Sequence, residues 1–144
     1  VIDAYCGVGA LSLLAAPHAK DVIGIECVSD AIKNAEENAA LNNVTNASFL
    51  CGTTEKILPT LKNTDVIFLN PPRKGCDTTV LSALKKYRPR TIVYISCNPA
   101  TLARDVALLQ SHGFSLGEVQ SFDMFPQTMH VETVATLHDT EKTL

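Results

Sequence analysis

Val1-Ile2-Asp3-Ala4-Tyr5-Cys6-Gly7-Val8-Gly9-Ala10-Leu11-Ser12 opens the chain, and the order of residue types in this stretch decides the fold. An apolar run of strand length ends on two glycines and passes directly into a segment of helical period. Glycine permits a tight turn and a close approach of backbone to ligand. The same alternation continues downstream. Residues 1–5, 21–25, 47–51, 65–69 and 91–96 read as strands, and 9–16, 29–41, 55–61, 78–86 and 101–111 as helices. The strand-like runs are short, rich in Val and Ile and apolar on both faces, the mark of buried parallel strands. Residues 114–123 and 131–137 add two further strands. Ser29-Asp30 is a helix start and Asn42-Asn43 a helix stop. Such alternation implies right-handed crossovers and an α/β, Rossmann-like, doubly wound and mostly parallel seven-stranded sheet. Only the end from His138 reads as loose.

Sheets of this kind bind ligands beyond the carboxyl ends of their strands, where strand order reverses. The informative residues fall there. After the first strand, Asp3, Tyr5 and Gly7 stand in the glycine turn; after the second comes Gly24-Ile25-Glu26. A carboxylate at that place can accept hydrogen bonds from both hydroxyls of a ribose. The third glycine of a dinucleotide fingerprint is missing, since Ser12 and Leu13 stand near its place. The shorter pattern fits a nucleoside cofactor without a pyrophosphate, of which S-adenosylmethionine is the common example. A packed turn with a surface Glu is the plainer alternative. The fourth strand ends Asn70-Pro71-Pro72-Arg73, where two prolines fix the backbone that presents Asn70. Asn-Pro-Pro also occurs in methyltransferases acting on exocyclic amines, but there an aromatic residue follows, and here it is Arg73.

The fifth strand runs into Ser96-Cys97-Asn98-Pro99. A cysteine between a strand end and a helix amino terminus sits where partial positive charge favours the thiolate. Cys27 and Cys51 read instead as buried, inert thiols. The last motif, Asp123-Met124-Phe125-Pro126-Gln127-Thr128-Met129-His130-Val131-Glu132, is an irregular loop delivering His130 and Glu132 to the start of the final strand. By spacing alone these two are a surface pair. If Val131 points into the core, strand alternation sends both to the other face together, where a carboxylate can serve as a base.

Together the motifs D-A-Y-C-G-V-G, G-I-E, N-P-P-R-K-G, S-C-N-P-A-T-L-A-R-D and F-P-Q-T-M-H-V-E resemble the RNA 5-methyluridine (uracil-C5) methyltransferases over the whole chain. The resemblance implies that Cys97 is a nucleophile and Glu132 a proton-abstracting base. It also implies cofactor contacts from Tyr5, Glu26, Thr53 and Asn70, S-adenosylmethionine as cofactor, and no metal. The wording A-T-L-A-R-D and D-M-F-P is most similar to members modifying large-subunit ribosomal RNA rather than transfer RNA. One departure is Asn70, where the family usually has Asp.

Composition bounds the remaining possibilities. With 144 residues the chain is one domain, and residues 1–144 read as a catalytic domain cut from a longer protein, because Val1 already looks like the inside of a strand. A net charge of −3 argues against this segment alone gripping RNA tightly. Upstream domains are expected to supply that grip, with Arg73, Lys74 and Arg104 adding local phosphate contacts. No apolar run approaches the roughly 18 residues of a membrane span. Five cysteines without a Cys-x-x-Cys pair argue against a structural zinc or iron–sulfur site in this segment, and an odd count points to reduced thiols in the cytoplasm. A non-catalytic module that binds cofactor or RNA is the alternative from another class.

Overall fold

The computed structural model describes residues 1–61 and 64–142. In chain order its elements are β1 (Ile2–Asp3), α1 (Ala10–Ala15), β2 (Val22–Glu26), α2 (Ser29–Leu41), β3 (Ala47–Cys51), α3 (Thr54–Ile57), β4 (Val66–Leu69), α4 (Thr78–Tyr87), β5 (Thr91–Ser96), α5 (Pro99–Ser111), β6 (Phe114–Phe122) and β7 (Glu132–Asp139). The strands form a seven-stranded sheet in the order β3-β2-β1-β4-β5-β7-β6. Pairing is parallel from β3 through β5. The last strand, β7, runs antiparallel between β5 and β6. This is the expected doubly wound sheet, and its strand order reverses between β1 and β4.

The central strands are apolar on both faces because both are covered. Ile25, Ile67, Leu69, Ile92 and Tyr94 are fully buried, packed with Val80 and Leu84 of α4 and Leu109 of α5. Burial of each aliphatic side chain of this size contributes about 1.5–3 kcal/mol, so the middle of the sheet is its most stable part. That stable middle holds the strand ends, and the loops leaving them, in fixed positions.

One helix start is shifted from the sequence reading and another coincides with it, each for a local reason. α5 begins at Pro99 rather than near residue 101, because the Asn98 side chain accepts a hydrogen bond from the Ala100 amide at 3.1 Å and Pro99 occupies the first helical position. In α2, Ser29 is already helical and Val28 is the cap residue, without a side-chain cap of its own. The carboxylate of Glu26 accepts from the Val28 amide instead, at 2.9 Å.

Three expectations are corrected. β3 is an edge strand, so its residues are only half-buried or exposed rather than enclosed on both faces. For the same reason Cys51, at the end of that edge, is exposed, and Cys27, just beyond β2 on the rim of the sheet, is exposed too; neither is a core thiol. The buried cysteines are Cys6 and Cys76, and burial pushes each of these thiols up to about 12. Finally, the chain does not loosen at His138. β7 continues to Asp139, which is buried and ion-paired with Arg88, and the Thr140 amide donates to the Gly113 carbonyl at 3.1 Å. Residues 143–144 of that expectation lie outside the described residues.

Candidate active site

At the carboxyl ends of β1, β2 and β4, where strand order reverses, a cavity of about 450 Å³ opens. Tyr5, Glu26, Thr53 and Asn70 all line it, together with Pro71 and Lys74. Each of the four stands immediately after, or at the end of, a different strand, so the sheet brings together residues up to 65 positions apart (5 to 70). A cavity of this size suits a nucleoside-sized ligand.

The glycine turn stands behind this lining and holds Glu26 in it. Gly7 and Gly9 have φ of +53° and +86°, a conformation side chains disfavour. At Gly9 an added Cβ would meet Ala35 and the Phe49 ring at 3.1 Å, so that glycine serves packing. At Gly7 an added Cβ would meet nothing within 4 Å, which leaves the backbone open to a ligand. The Gly7 amide donates to Glu26 Oε2 at 3.2 Å, and the Val28 amide donates to Oε1 at 2.9 Å. Burial pushes the Glu26 pKa up, but hydrogen bonds from Val28, Cys27 and Gly7 outweigh it and hold the carboxyl below its ordinary value. An ionised carboxylate with both oxygens fixed and lone pairs to spare is a receptor for two adjacent hydroxyls.

Two of the expected ligand residues do not line the cavity. Gly7 acts at one remove, by fixing Glu26. Asp3 is fully buried beneath the turn, where its Oδ2 accepts from the Ser12 hydroxyl at 2.7 Å. Burial raises its pKa, against the opposing hydrogen bonds from Ser12 and Tyr5. Asp3 thus ties β1 to the first helix, an interior role that strand position alone did not reveal.

Cys97 directly follows β5, and Glu132 opens β7. These antiparallel strands pair Thr91 with His138 and continue in step to Ser96 with Thr133. The ladder ends there, one residue short of Cys97 on one strand and of Glu132 on the other, so the two stand at its adjoining ends. Ile92, Tyr94 and Ser96 are buried, as are their partners Leu137, Ala135 and Thr133. The alternate pairs are half-buried, and Cys97 and Glu132 fall in that half-buried set. Directly opposed residues in such a ladder have Cα atoms about 4.5–5.5 Å apart and side chains on one face. Val131 is half-buried rather than a core residue, so their approach follows from strand register and not from an inward Val131. The Cys97 turn is held from beneath: Ser96 Oγ donates to the Asn98 carbonyl and accepts from the Asn98 amide, both at 3.1 Å. His130 stacks edge-on against Phe125, with ring centroids 6.4 Å apart.

Sequence reasoning overlooked how this turn is joined to the cavity wall. Asn98 Nδ2 and Thr101 Oγ1 both donate to the Arg73 carbonyl, at 3.4 and 3.2 Å. The Asn98-Pro99 pair was a legible cap signal; its second bond, across 25 residues, was not.

The fold and its cavity define a Rossmann-like methyltransferase fold. Solved structures agree: the precorrin-6y C5,15-methyltransferase of Geobacter metallireducens aligns over 96% of this chain at TM-score 0.78 and 16% identity. The family model described as tRNA (uracil-5-)-methyltransferase matches residues 1–140, and the chain belongs to that family. An uncharacterized RNA methyltransferase of Enterococcus faecalis is 50% identical over 95% of the chain, which spans 31% of that relative. One from Oceanobacillus iheyensis is 51% identical over the same shares. The tRNA (uracil-54, C5)-methyltransferase of Pyrococcus abyssi, solved with S-adenosyl-L-homocysteine, is 36% identical with TM-score 0.82, covering 94% of this chain and 33% of that one. The chain therefore spans about a third of the length of the relatives it matches.

Proposed function

We propose that this chain is the catalytic domain of an enzyme that methylates carbon 5 of a uridine in RNA, with S-adenosylmethionine as methyl donor. The observation that supports the reading is the register of β5 and β7, whose ladder ends on Ser96 paired with Thr133, the neighbours of Cys97 and Glu132. Glu26 suits the donor's ribose, Gly7 leaves room for its close approach, and Tyr5, Thr53 and Asn70 would complete the pocket. When bound, S-adenosylmethionine supplies an electrophilic methyl group.

The chain's own residues do the rest. Carbon 5 of uracil is a poor nucleophile. Addition of the Cys97 thiolate to carbon 6 pushes the electron pair of the 5,6 double bond into an enolate and makes carbon 5 nucleophilic. Once methylated, carbon 5 still carries its original hydrogen. Glu132 removes that hydrogen as a proton, and the thiolate leaves carbon 6 as the double bond re-forms. Asn70 presents an amide where the family usually has a carboxylate, so it can both donate and accept.

We assign the target to large-subunit ribosomal RNA on the wording of residues 101–105 and 123–126. The grip on that RNA is assigned to parts of the protein upstream of Val1, with Arg73, Lys74 and Arg104 exposed for local phosphate contacts. The reading sets the enzyme in the cytoplasm, where RNA and reduced thiols coincide. Among the described residues no helix is long and apolar enough to cross a membrane.

The test uses full-length protein with RNA containing 5-fluorouridine, whose fluorine cannot be removed as a proton. A covalent adduct should form only with S-adenosylmethionine present and should map to Cys97. Continued methylation by a Cys97→Ala variant would overturn the mechanism. Nucleoside mapping in cells lacking the protein should show loss of 5-methyluridine from ribosomal RNA; loss from transfer RNA would reassign the target.

A further inference from the structure

We propose that Asp105 is a positioning residue, which locks the Cys97 turn to the Asn70 loop and so sets the gap between nucleophile and cofactor pocket. This inference rests on the uridine reading above.

Asp105 lies one turn and a half into α5 and is 1% exposed. Its Oδ2 accepts from the Cys76 amide at 2.8 Å and from the Tyr94 hydroxyl at 2.6 Å. Its Oδ1 accepts from Arg104 Nε at 2.8 Å. The same guanidinium donates from Nη2 to the Lys74 carbonyl at 3.0 Å. One buried carboxylate thus collects α5, strand β5 and the far end of the loop that follows Asn70. Gly75 closes the contact: at φ +80° it lies so near that an added Cβ would be 2.6 Å from Asp105 Oδ2 and from Arg104 Nη2.

Buried carboxylates are costly to desolvate, and this one is offset by three donors arranged around it. A simple core anchor needs no such convergence on one loop. With the bonds from Asn98 and Thr101 to the Arg73 carbonyl, the backbone of residues 73–76 is fastened to α5 along its length. The helix begins just after Cys97, and the loop begins at Asn70. The pairing of β4 with β5 sets the spacing of the two strand ends, and these bonds carry that spacing onward to the loop and the helix. A reaction that needs a pyrimidine ring held between thiolate and methyl donor depends on that separation, and small misplacements of reacting groups cost large factors in rate.

Asp105→Asn tests this. With its carbonyl oxygen in the Oδ2 place the amide keeps Cys76 and Tyr94, while its NH2 group faces the Arg104 donors and releases the Lys74 carbonyl. Tyr94→Phe removes a single hydroxyl donor without changing the packing volume and serves as the milder variant. In full-length Asp105→Asn protein, single-turnover adduct formation on 5-fluorouridine RNA should slow about tenfold or more, while the Kd for S-adenosylhomocysteine changes less than about threefold. Hydrogen exchange should quicken in residues 73–76 and 97–101 together. Unchanged adduct formation, or proportional loss of adduct formation and cofactor affinity, would overturn the proposal. So would faster exchange in only one of the two segments. If the parent protein forms no adduct, the uridine reading fails by itself, and the exchange measurement still decides whether Asp105 couples the two segments.

Discussion

Glu26→Gln isolates the ribose receptor, and its effect can be worked from the two amides that hold the carboxylate. Oε1 takes the Val28 N–H at 2.9 Å and Oε2 the Gly7 N–H at 3.2 Å. Glutamine can offer its oxygen to only one of them; its NH2 group must then face the other N–H, donor against donor. The variant loses one charge-assisted hydrogen bond and one acceptor for a ribose hydroxyl, a loss of about 1.5–3 kcal/mol when fully desolvated. Glu26 is only half-buried, so water returns part of this, and the lower end applies. About 1.5–2 kcal/mol corresponds to a rise in Kd of about ten- to thirtyfold. Titration calorimetry of full-length protein with S-adenosylhomocysteine reads it directly. The pH profile adds a second check. Because the Glu26 pKa is held below its ordinary value, affinity should stay flat as pH falls toward the usual carboxylate range of about 4.3, and decline only below it. A Kd within threefold of the parent, or an affinity already falling near neutral pH, would refute the assignment of Glu26 as the ionised receptor.

Other perturbations test other parts. Glu132→Gln should leave addition intact and block proton removal, so a covalent complex between enzyme and ordinary RNA should accumulate on denaturing gels; normal turnover would remove Glu132 from the mechanism. Cys27 is exposed and lines the cavity, so saturating S-adenosylhomocysteine should slow its alkylation, read by peptide mass analysis, several-fold relative to Cys51, which does not line it. Thiol alkylation by itself is consequently a poor test of Cys97. Arg88→Met should lower the thermal midpoint by on the order of 5–10 °C, because it strips the buried Asp139 carboxylate of its guanidinium partner. Burial alone would raise the Asp139 pKa, but Arg88 and the Glu141 amide bring it below its ordinary value. Its stabilising contribution is therefore complete above about pH 4 and is lost as pH falls through the lowered folded value. Acid unfolding curves of parent and variant should converge there.

The sheet was largely legible in the sequence because its strands are short apolar runs with turn residues at both ends. Residues 47–51 and 91–96 coincide with β3 and β5, and the others differ by one to a few residues at their ends. Periodicity could not tell an edge strand from a central one, and so Cys51 was expected inside. Glu26 and Asn70 were legible because they stand at strand ends, which share one edge of a parallel sheet, whereas Tyr5 and Thr53 were expected from the family resemblance. Asp3 satisfied the same positional rule yet points into the interior, since alternation within a two-residue strand is too short to read. The approach of the Cys97 turn to the start of β7 lies in the register of two strands whose intervening residues include a helix and another strand. The Asp105 bonds span 11 and 29 residues, and such partners leave no local pattern.

The antiparallel β7 has a consequence for the order of assembly. β6 is synthesised first but has no neighbour in the sheet except β7, so it stays without a strand partner until the last stretch of the domain arrives. On the proposed mechanism, a growing polypeptide can thus complete the cavity at Glu26 long before it owns Glu132. The enzyme would acquire chemical competence in a single late event, when that final strand slides into its slot. A one-residue slip at that moment would exchange the two faces of the strand and turn the buried set that begins at Thr133 outward.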